Sequence, residues 1–115
     1  MTYKYFNLEE FACKETGENF IKPEFVERLD MLRGVCGFAF KINSGYRSPE
    51  HSAERDKDEP GTHTEGIAAD IAVTNGWQRF VIVSKAIEHG FNGIGVGKDF
   101  VHLDDRSGFG VMWVY

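Results

Sequence analysis

The apolar segment IAADIAV, residues 67–73, contains one carboxylate at its centre, Asp70. Its length and aliphatic composition predict a buried strand. A buried carboxylate is costly unless a cation or a metal ion compensates its charge, although Asp70 taken alone fits a capping or turn role equally well. We therefore expect the fold to bring a charge partner to the middle of this strand.

Two helices are predicted in the first third of the chain. Asn7 and Glu10 form a capping box that opens a short helix, which Gly17 is expected to end. Pro23 suits the first turn of a second helix that is expected to end before Gly34. The apolar face of this second helix consists of Phe25, Val26, Leu29 and Leu32.

The remaining chain alternates strand, loop and helix signals. A strand is predicted over Phe38–Asn43, and a long polar loop of the kind that is usually functional follows over residues 44–66. After the strand at residues 67–73, Gln78–His89 has helical spacing, and three short strands are predicted in GIGVG, FVHLD and GVMWVY. We expect one domain over residues 1–115 with an α+β fold, in which helices pack on one face of a small, mainly antiparallel sheet.

Composition excludes several classes of function. The chain has 18 acidic and 13 basic residues, and the basic residues form no stripe, so nucleic acid is not an expected partner. No apolar stretch reaches the roughly 20 residues of a membrane span, and the first residues lack the layout of a secretory signal. Cys13 and Cys36 form no C-x-x-C pair and are expected to be buried thiols, which argues against a cysteine hydrolase.

Two histidines are placed to meet Asp70. His63 precedes it by seven residues and lies between two glycines, and His102 lies in the apolar strand FVHLD. A lone histidine is more often an ordinary core or surface residue, and His89 at a predicted helix end fits that interpretation. Two imidazoles, one carboxylate and an open fourth position are the ligand set of a catalytic zinc ion. The sequence therefore predicts zinc bound by His63, Asp70 and His102.

The order of these motifs resembles a known family. The strings SGYRSPEH, THTEGIAADI, GFNGIG and FVHLDDR match, in order and spacing, the zinc D-Ala-D-Ala carboxypeptidases, a family that also includes L-Ala-D-Glu endopeptidases of phage and bacteria. The resemblance is strongest over residues 42–106 and extends over nearly the whole chain. It implies a fold like that of hedgehog domains and of D-Ala-D-Ala peptidases, with the same three residues as zinc ligands.

The resemblance also implies a function. A zinc metallopeptidase is expected, acting on peptidoglycan stem peptides, with Arg47 of SGYRS contacting the substrate near the metal. The expected setting is a phage lysis enzyme that is made in the cytoplasm without a signal peptide and reaches the cell wall after phage-mediated release. No cofactor other than zinc is implied, and no pattern in the sequence specifies an oligomeric state.

The general base is predicted to be Asp99, ahead of Asp104, with Glu65 third. Strict strand alternation favours Asp104, which shares a face with His102. However, a turn before residue 100 is able to bend Asp99 towards the metal, and its D-x-x-H spacing resembles the acid-x-x-His arrangement of the family. Asp104 also has Arg106 as a nearby structural partner.

Several alternatives stay open from the sequence. Arg47 could form a surface pair with Glu50 or Glu54, and His51 could support the metal site or simply face solvent. Trp113 and Tyr115 are expected to pack in the core or at a sheet edge, with lining of the cleft as the alternative, and the same holds for Tyr46 beside Arg47. The competing function is a metal-stabilised binding or structural module of the same fold, which would have four protein ligands and no catalysis.

Overall fold

The computed structural model describes residues 3–115, which form a five-stranded sheet and two α-helices. This architecture confirms the predicted α+β fold with a mainly antiparallel sheet. In chain order the elements are a 3₁₀ helix (Leu8–Phe11), α1 (Pro23–Cys36), β1 (Ile42–Ser44), β2 (Ala68–Ala72), α2 (Gly76–Glu88), β3 (Gly93–Val96), β4 (Phe100–Asp104) and β5 (Val111–Val114).

The sheet has the strand order β1-β2-β4-β3-β5, and only β3 and β5 pair in parallel. In the central pair, Ile71 of β2 lies opposite Val101 of β4, and Asp70 lies opposite His102. Side chains opposite each other across a ladder point to the same face, and successive side chains alternate between faces. The sheet therefore has one apolar face and one polar face.

The apolar face packs against both helices. Ile71 and Val101 are fully buried there together with Leu29 of α1 and Ile82 of α2, within one continuous core. Aliphatic burial of this kind is the main stabilising contribution to a domain of this size. With the helices on that face, the polar face is left available for a site.

The second predicted helix is correct in its start and in its apolar face, but not in its end. Pro23 occupies its first turn, and all four predicted face residues are buried. The helix continues through Gly34 and ends at Cys36, because Gly37 takes the left-handed conformation, with φ of 81°, that caps a helix. A glycine that stays right-handed, as Gly34 does, does not stop a helix.

Two other predicted boundaries were wrong. The first helix ends at Phe11, well before Gly17, because Cys13 N–H turns away to donate to Glu18 O at 2.7 Å. The predicted capping contact is present, with Asn7 N–H donating to Glu10 Oε2 at 2.7 Å. The strand predicted over Phe38–Asn43 begins only at Ile42, where pairing with β2 starts.

The later elements follow the prediction closely. α2 begins after Asn75, whose side chain accepts a hydrogen bond from Gln78 N–H at 2.8 Å, and it ends at Glu88. Strands β3, β4 and β5 occupy the three short apolar segments near the C-terminus. Among residues 3–115, neither helix has the length and apolarity needed to cross a bilayer.

Candidate metal centre

Two of the predicted ligands are cross-strand partners on the polar face of the sheet. Asp70 of β2 lies directly opposite His102 of β4, and Asp70 Oδ1 is 3.0 Å from His102 Nδ1. β4 pairs regularly with β2 on one side and with β3 on the other, so the ladder that Asp70 and His102 share is held in place. Both are largely buried, with the His102 residue 4% exposed.

The third predicted ligand comes from the long loop between β1 and β2. His63 Nε2 lies 3.3 Å from Asp70 Oδ1, and the centroids of the His63 and His102 rings are 5.0 Å apart. His63 Nδ1 is 2.7 Å from the carbonyl oxygen of Gly45. A carbonyl only accepts, so Nδ1 carries the proton and the lone pair of Nε2 faces Asp70.

The segment that holds His63 is itself tightly packed. A Cβ on Gly45 would lie 2.7 Å from Phe11 Cα, so only glycine fits at this approach. Tyr46 N–H donates to Phe11 O at 2.7 Å, and Arg47 N–H donates to His63 O at 3.2 Å. The carbonyl that orients His63 is therefore fixed by contact with the N-terminal 3₁₀ helix.

The three donor side chains fit a zinc ion. Their ligand atoms all lie within 4.8 Å of one another. Zinc bonds of about 2.0–2.1 Å at tetrahedral angles place ligand atoms about 3.3 Å apart, which is close to the His63–Asp70 and Asp70–His102 separations. Imidazole nitrogens and a carboxylate oxygen are also the donors that zinc accepts most readily in catalytic sites.

A second carboxylate orients His102. Asp104 is fully buried, and its Oδ2 lies 2.7 Å from His102 Nε2. Arg106 makes a bidentate contact with the same carboxylate, from Nε at 2.9 Å and from Nη2 at 2.8 Å. The structure thus contains the Asp104–Arg106 pair expected from the sequence. Carboxylates in this position fix the tautomer and direction of a metal-binding histidine.

Charge and burial oppose each other in this cluster. Burial raises the pKa of Asp70, but its contacts with His102 and His63 outweigh burial and hold the pKa well below its usual range. Burial likewise raises the pKa of Asp104, and Arg106 and His102 more than offset it. Burial lowers the pKa of His102, whereas hydrogen bonds with Asp104 and Asp70 raise it above the usual value. Both carboxylates are ionised at neutral pH.

The cluster lies in a cavity of about 560 Å³ on the polar face of the sheet. Three cationic and three aromatic side chains line it. The Trp113 ring is 5.2 Å from the His102 ring, and the Arg106 guanidinium lies 4.9 Å above the Trp113 ring. The cationic and aromatic lining residues are Arg47, Lys57, Arg106, Phe100, Trp113 and Tyr115.

Glycines on β3 make space for this face of the sheet. A Cβ on Gly93 would overlap the Asp104 carboxylate, and one on Gly95 would lie 2.7 Å from the Trp113 and Tyr115 rings. Both glycines lie beside β4, where Gly93 pairs with Asp104 and Gly95 pairs with His102. Alternate glycines thus leave β3 without side chains beneath the site.

Arg47 lies at the cavity and bridges two carboxylates. Its Nη2 is 3.5 Å from Asp70 Oδ2 and its Nη1 is 3.4 Å from Glu54 Oε2. The pair with a glutamate that the sequence left open is therefore present, but it is partly buried beside the predicted ligands and not on the open surface.

The structure does not bring Asp99 to the cavity. Asp99 is exposed in the turn before β4 and is not among the residues that line the cavity, whereas Glu65 does line it. His51 also lies elsewhere, with Nε2 3.1 Å from Glu15 Oε2. Tyr46 is buried and does not line the cavity. The role of Asp99 as a base stays a prediction.

Some lining residues were missed from the sequence. Phe100 was not predicted to line the cavity, although strand alternation places it on the same face as His102. Trp113 and Tyr115 line the cavity, which is the alternative role that the sequence left open for them. Lys57 was not predicted, and Glu54 was expected only as a surface partner of Arg47. Both lie in an irregular loop, where no periodic pattern signals which side chains turn inwards.

Comparison with known families places these observations in context. No curated protein matches the chain. The model of one protein family, Peptidase M15, matches residues 4–104 of the 115 residues. This range includes both helices, four of the five strands and all three clustered donor residues. The match confirms the family predicted from the motifs, and the chain belongs to the Peptidase M15 family.

Proposed function

We propose that this chain is a zinc peptidase that hydrolyses a peptide bond in the stem peptides of bacterial peptidoglycan. The observation that carries the proposal is the meeting of His63, Asp70 and His102 in a cavity of a Peptidase M15 chain. Zinc, when bound there, would polarise the scissile carbonyl and make water a better nucleophile at neutral pH.

The surrounding residues have defined tasks in this proposal. Gly45 O keeps the proton of His63 on Nδ1, and Asp104 keeps the proton of His102 on Nε2, so that the other nitrogen of each ring is a donor for the metal. Arg47 lies beside the cluster, where its charge suits either a carboxylate of the substrate or the oxyanion of the transition state.

The cavity suits a peptide with a free carboxylate. Arg47 and Lys57 share one oxygen of Glu54, so a substrate carboxylate would compete with Glu54 for their charge. The aromatic residues provide an apolar surface for short aliphatic side chains such as those of alanine. These features support both a D-Ala-D-Ala carboxypeptidase and an L-Ala-D-Glu endopeptidase, because each substrate carries carboxylates near the scissile bond.

For the proton acceptor we propose Asp99, on its D-x-x-H spacing. Because Asp99 lies outside the cavity, this role requires the turn between β3 and β4 to move when substrate binds. The oxygens of Asp104 are engaged by His102 and Arg106, which supports a role for Asp104 in holding His102. Glu65 is the competing candidate, since its side chain already lines the cavity.

The second candidate function is a metal-stabilised binding module of the same fold. Structural zinc sites use four protein ligands, whereas the donor group found within residues 3–115 has three. Three ligands leave a position open for water or substrate, so the donor count favours catalysis.

Mass spectrometry of purified cell-wall fragments tests the proposal. We expect incubation with the zinc-loaded protein to release D-alanine or to cleave between L-alanine and D-glutamate, and a chelator to abolish the reaction. The mass of the product identifies the bond. Intact fragments with zinc-loaded protein would favour the binding module.

By resemblance we also propose a phage lysis role, in which the enzyme reaches the wall after release from the cell.

A further inference from the structure

Glu54 is a buried carboxylate outside the predicted ligand set. It lies in the long loop between β1 and β2, and its side chain is only 2% exposed although most of its neighbours in the loop are exposed. It also lines the cavity that contains the metal cluster. Glutamates are rarely buried this far unless other groups pair with them, so the surroundings of Glu54 need an explanation.

Three donors hold the Glu54 carboxylate in place. Lys57 Nζ lies 3.1 Å from Oε2, and Thr64 Oγ1 donates to Oε1 at 3.1 Å. Arg47 Nη1 lies 3.4 Å from Oε2. Burial raises the pKa of Glu54, but the hydrogen bonds from Lys57, Thr64 and Arg47 outweigh burial and leave the pKa below its usual range. Glu54 is therefore a fixed negative charge at neutral pH.

Each of the three nitrogen atoms of the Arg47 guanidinium has a partner within the protein. Its Nε donates to Ser44 Oγ at 3.0 Å, its Nη1 faces Glu54 and its Nη2 faces Asp70. Ser44 is neutral and Asp70 belongs to the predicted ligand set. Of the two carboxylates that contact Arg47, Glu54 is therefore the one that is not also a predicted metal ligand.

We propose that Glu54 is a positioning residue that holds the Arg47 guanidinium in the cavity beside the metal centre. Glu54 is anchored through Lys57 and Thr64, and Thr64 directly follows the predicted ligand His63. The same carboxylate therefore contacts both Arg47 and Thr64, the residue next to His63. The effect of Glu54 on catalysis rests on the proposed function, whereas its effect on the Arg47 side chain does not.

The first test measures the Arg47 side chain directly. In ¹⁵N–¹H spectra of the zinc-loaded protein, the Nε–H signal of Arg47 is identified by its loss in Arg47→Lys. We expect Glu54→Gln, which keeps shape but removes charge, to shift and broaden this signal. Glu50→Gln, a change at an exposed glutamate of the same loop, is expected to leave it unchanged. An unchanged Arg47 signal in folded Glu54→Gln protein would overturn the proposal.

The second test uses activity in a double-mutant cycle. We expect Glu54→Gln to lower kcat/KM by roughly tenfold, and to have no further effect in an Arg47→Ala background. A purely structural role for Glu54 would lower activity equally in both backgrounds, and that result would overturn the proposal.

The two tests separate this proposal from the proposed function. If the wild-type protein cleaves no peptide, the proposed function fails while the Arg47 signal still decides the role of Glu54. If Glu54→Gln does not fold, Lys57→Met and Thr64→Val take its place, since each removes one anchor of Glu54. Both are expected to perturb the Arg47 signal, and unchanged signals in both would overturn the proposal.

Discussion

Asp70 and His102 face each other across the antiparallel pairing of β2 and β4, with Asp70 Oδ1 3.0 Å from His102 Nδ1. Regular pairing on both sides of β4 fixes their backbones, and Asp104 fixes the His102 ring. Two donors of the cluster are thus set by the sheet itself. Only His63 depends on a loop, and its ring is held by the Gly45 carbonyl.

We expect one zinc ion per chain, and we expect His63→Ala, Asp70→Ala and His102→Ala each to abolish tight binding. The loss is expected to exceed the roughly 10- to 100-fold that removal of an outer partner costs. Metal analysis after dialysis against a weak chelator measures this. His89→Ala, a change at the end of α2, is the control, and this variant is expected to bind zinc as the wild type does. Full zinc occupancy in any of the three variants would remove that residue from the ligand set.

Arg47→Ala is expected to retain zinc and to lower kcat by roughly 100-fold or more, the usual scale for a lost charge-stabilising group. Arg47 contacts Asp70 through Oδ2, whereas His63 and His102 face Oδ1 of the same carboxylate, so the metal content is expected to stay unchanged. Arg55→Ala, in the exposed part of the same loop, serves as the matched control and is expected to behave as wild type. Normal turnover in Arg47→Ala would assign Arg47 to a structural ion pair.

The general base is decided by three variants measured side by side. Asp99→Asn is expected to keep zinc and to lower turnover by roughly 100-fold or more. Asp104→Asn is expected to weaken zinc binding by roughly 10- to 100-fold, because the substitution removes the negative charge that orients the His102 ring. If Asp99→Asn turns over normally and Glu65→Gln loses activity with zinc retained, the base is Glu65.

The meeting of His63, Asp70 and His102 is the part of the site that the sequence predicted most completely. Spacing within one segment brought His63 and Asp70 together, and an apolar strand with a histidine supplied His102. Their pairing depends on the register of β2 against β4, which the sequence does not state. Arg47 was named from its motif, but its contact with buried Glu54 depends on the path of an irregular loop. Motif spacing favoured Asp99 over Asp104, whereas the structure places Asp104 against His102 and Asp99 outside the cavity.

The ends of the helices and strands were likewise predicted only in part from the sequence. Strands and helices with clear apolar spacing were predicted well, as in α2 and β4. Both helix-end errors occurred where a glycine was interpreted as a stop signal, and the third error was the start of β1. Gly34 and Gly37 are both compatible with a helix end, and the choice between them depends on which one adopts a positive φ.

Gly93→Ala is expected to destabilise the protein by about 1–3 kcal/mol, the usual cost of forcing an extra methyl group into a packed site. The new Cβ would overlap the Asp104 carboxylate, so zinc affinity is expected to fall as well. Urea unfolding of the metal-free protein measures the first effect, and a competition titration measures the second. Gly110→Ala is the control, because its nearest neighbour would be 3.9 Å away. Equal stability of the two variants would contradict the prediction.

The Cys36 thiol is expected to be unreactive in the folded protein. Burial raises the pKa of Cys36 from 9.0 to about 11. A difference of about two units means roughly 100-fold less thiolate at pH 8, and only the thiolate reacts. Alkylation followed by peptide mass spectrometry measures Cys36 separately from Cys13. Rapid labelling of Cys36 without unfolding, at the rate seen in urea, would show that the thiol is accessible.

The close packing of Gly45 on Phe11 limits how far this protein can be shortened without losing its site. None of residues 3–11 lines the cavity, so the segment looks dispensable for chemistry. Yet it supports the backbone whose carbonyl holds His63. A minimal synthetic version would therefore have to retain this segment, and trimming it is expected to release the metal before the sheet unfolds.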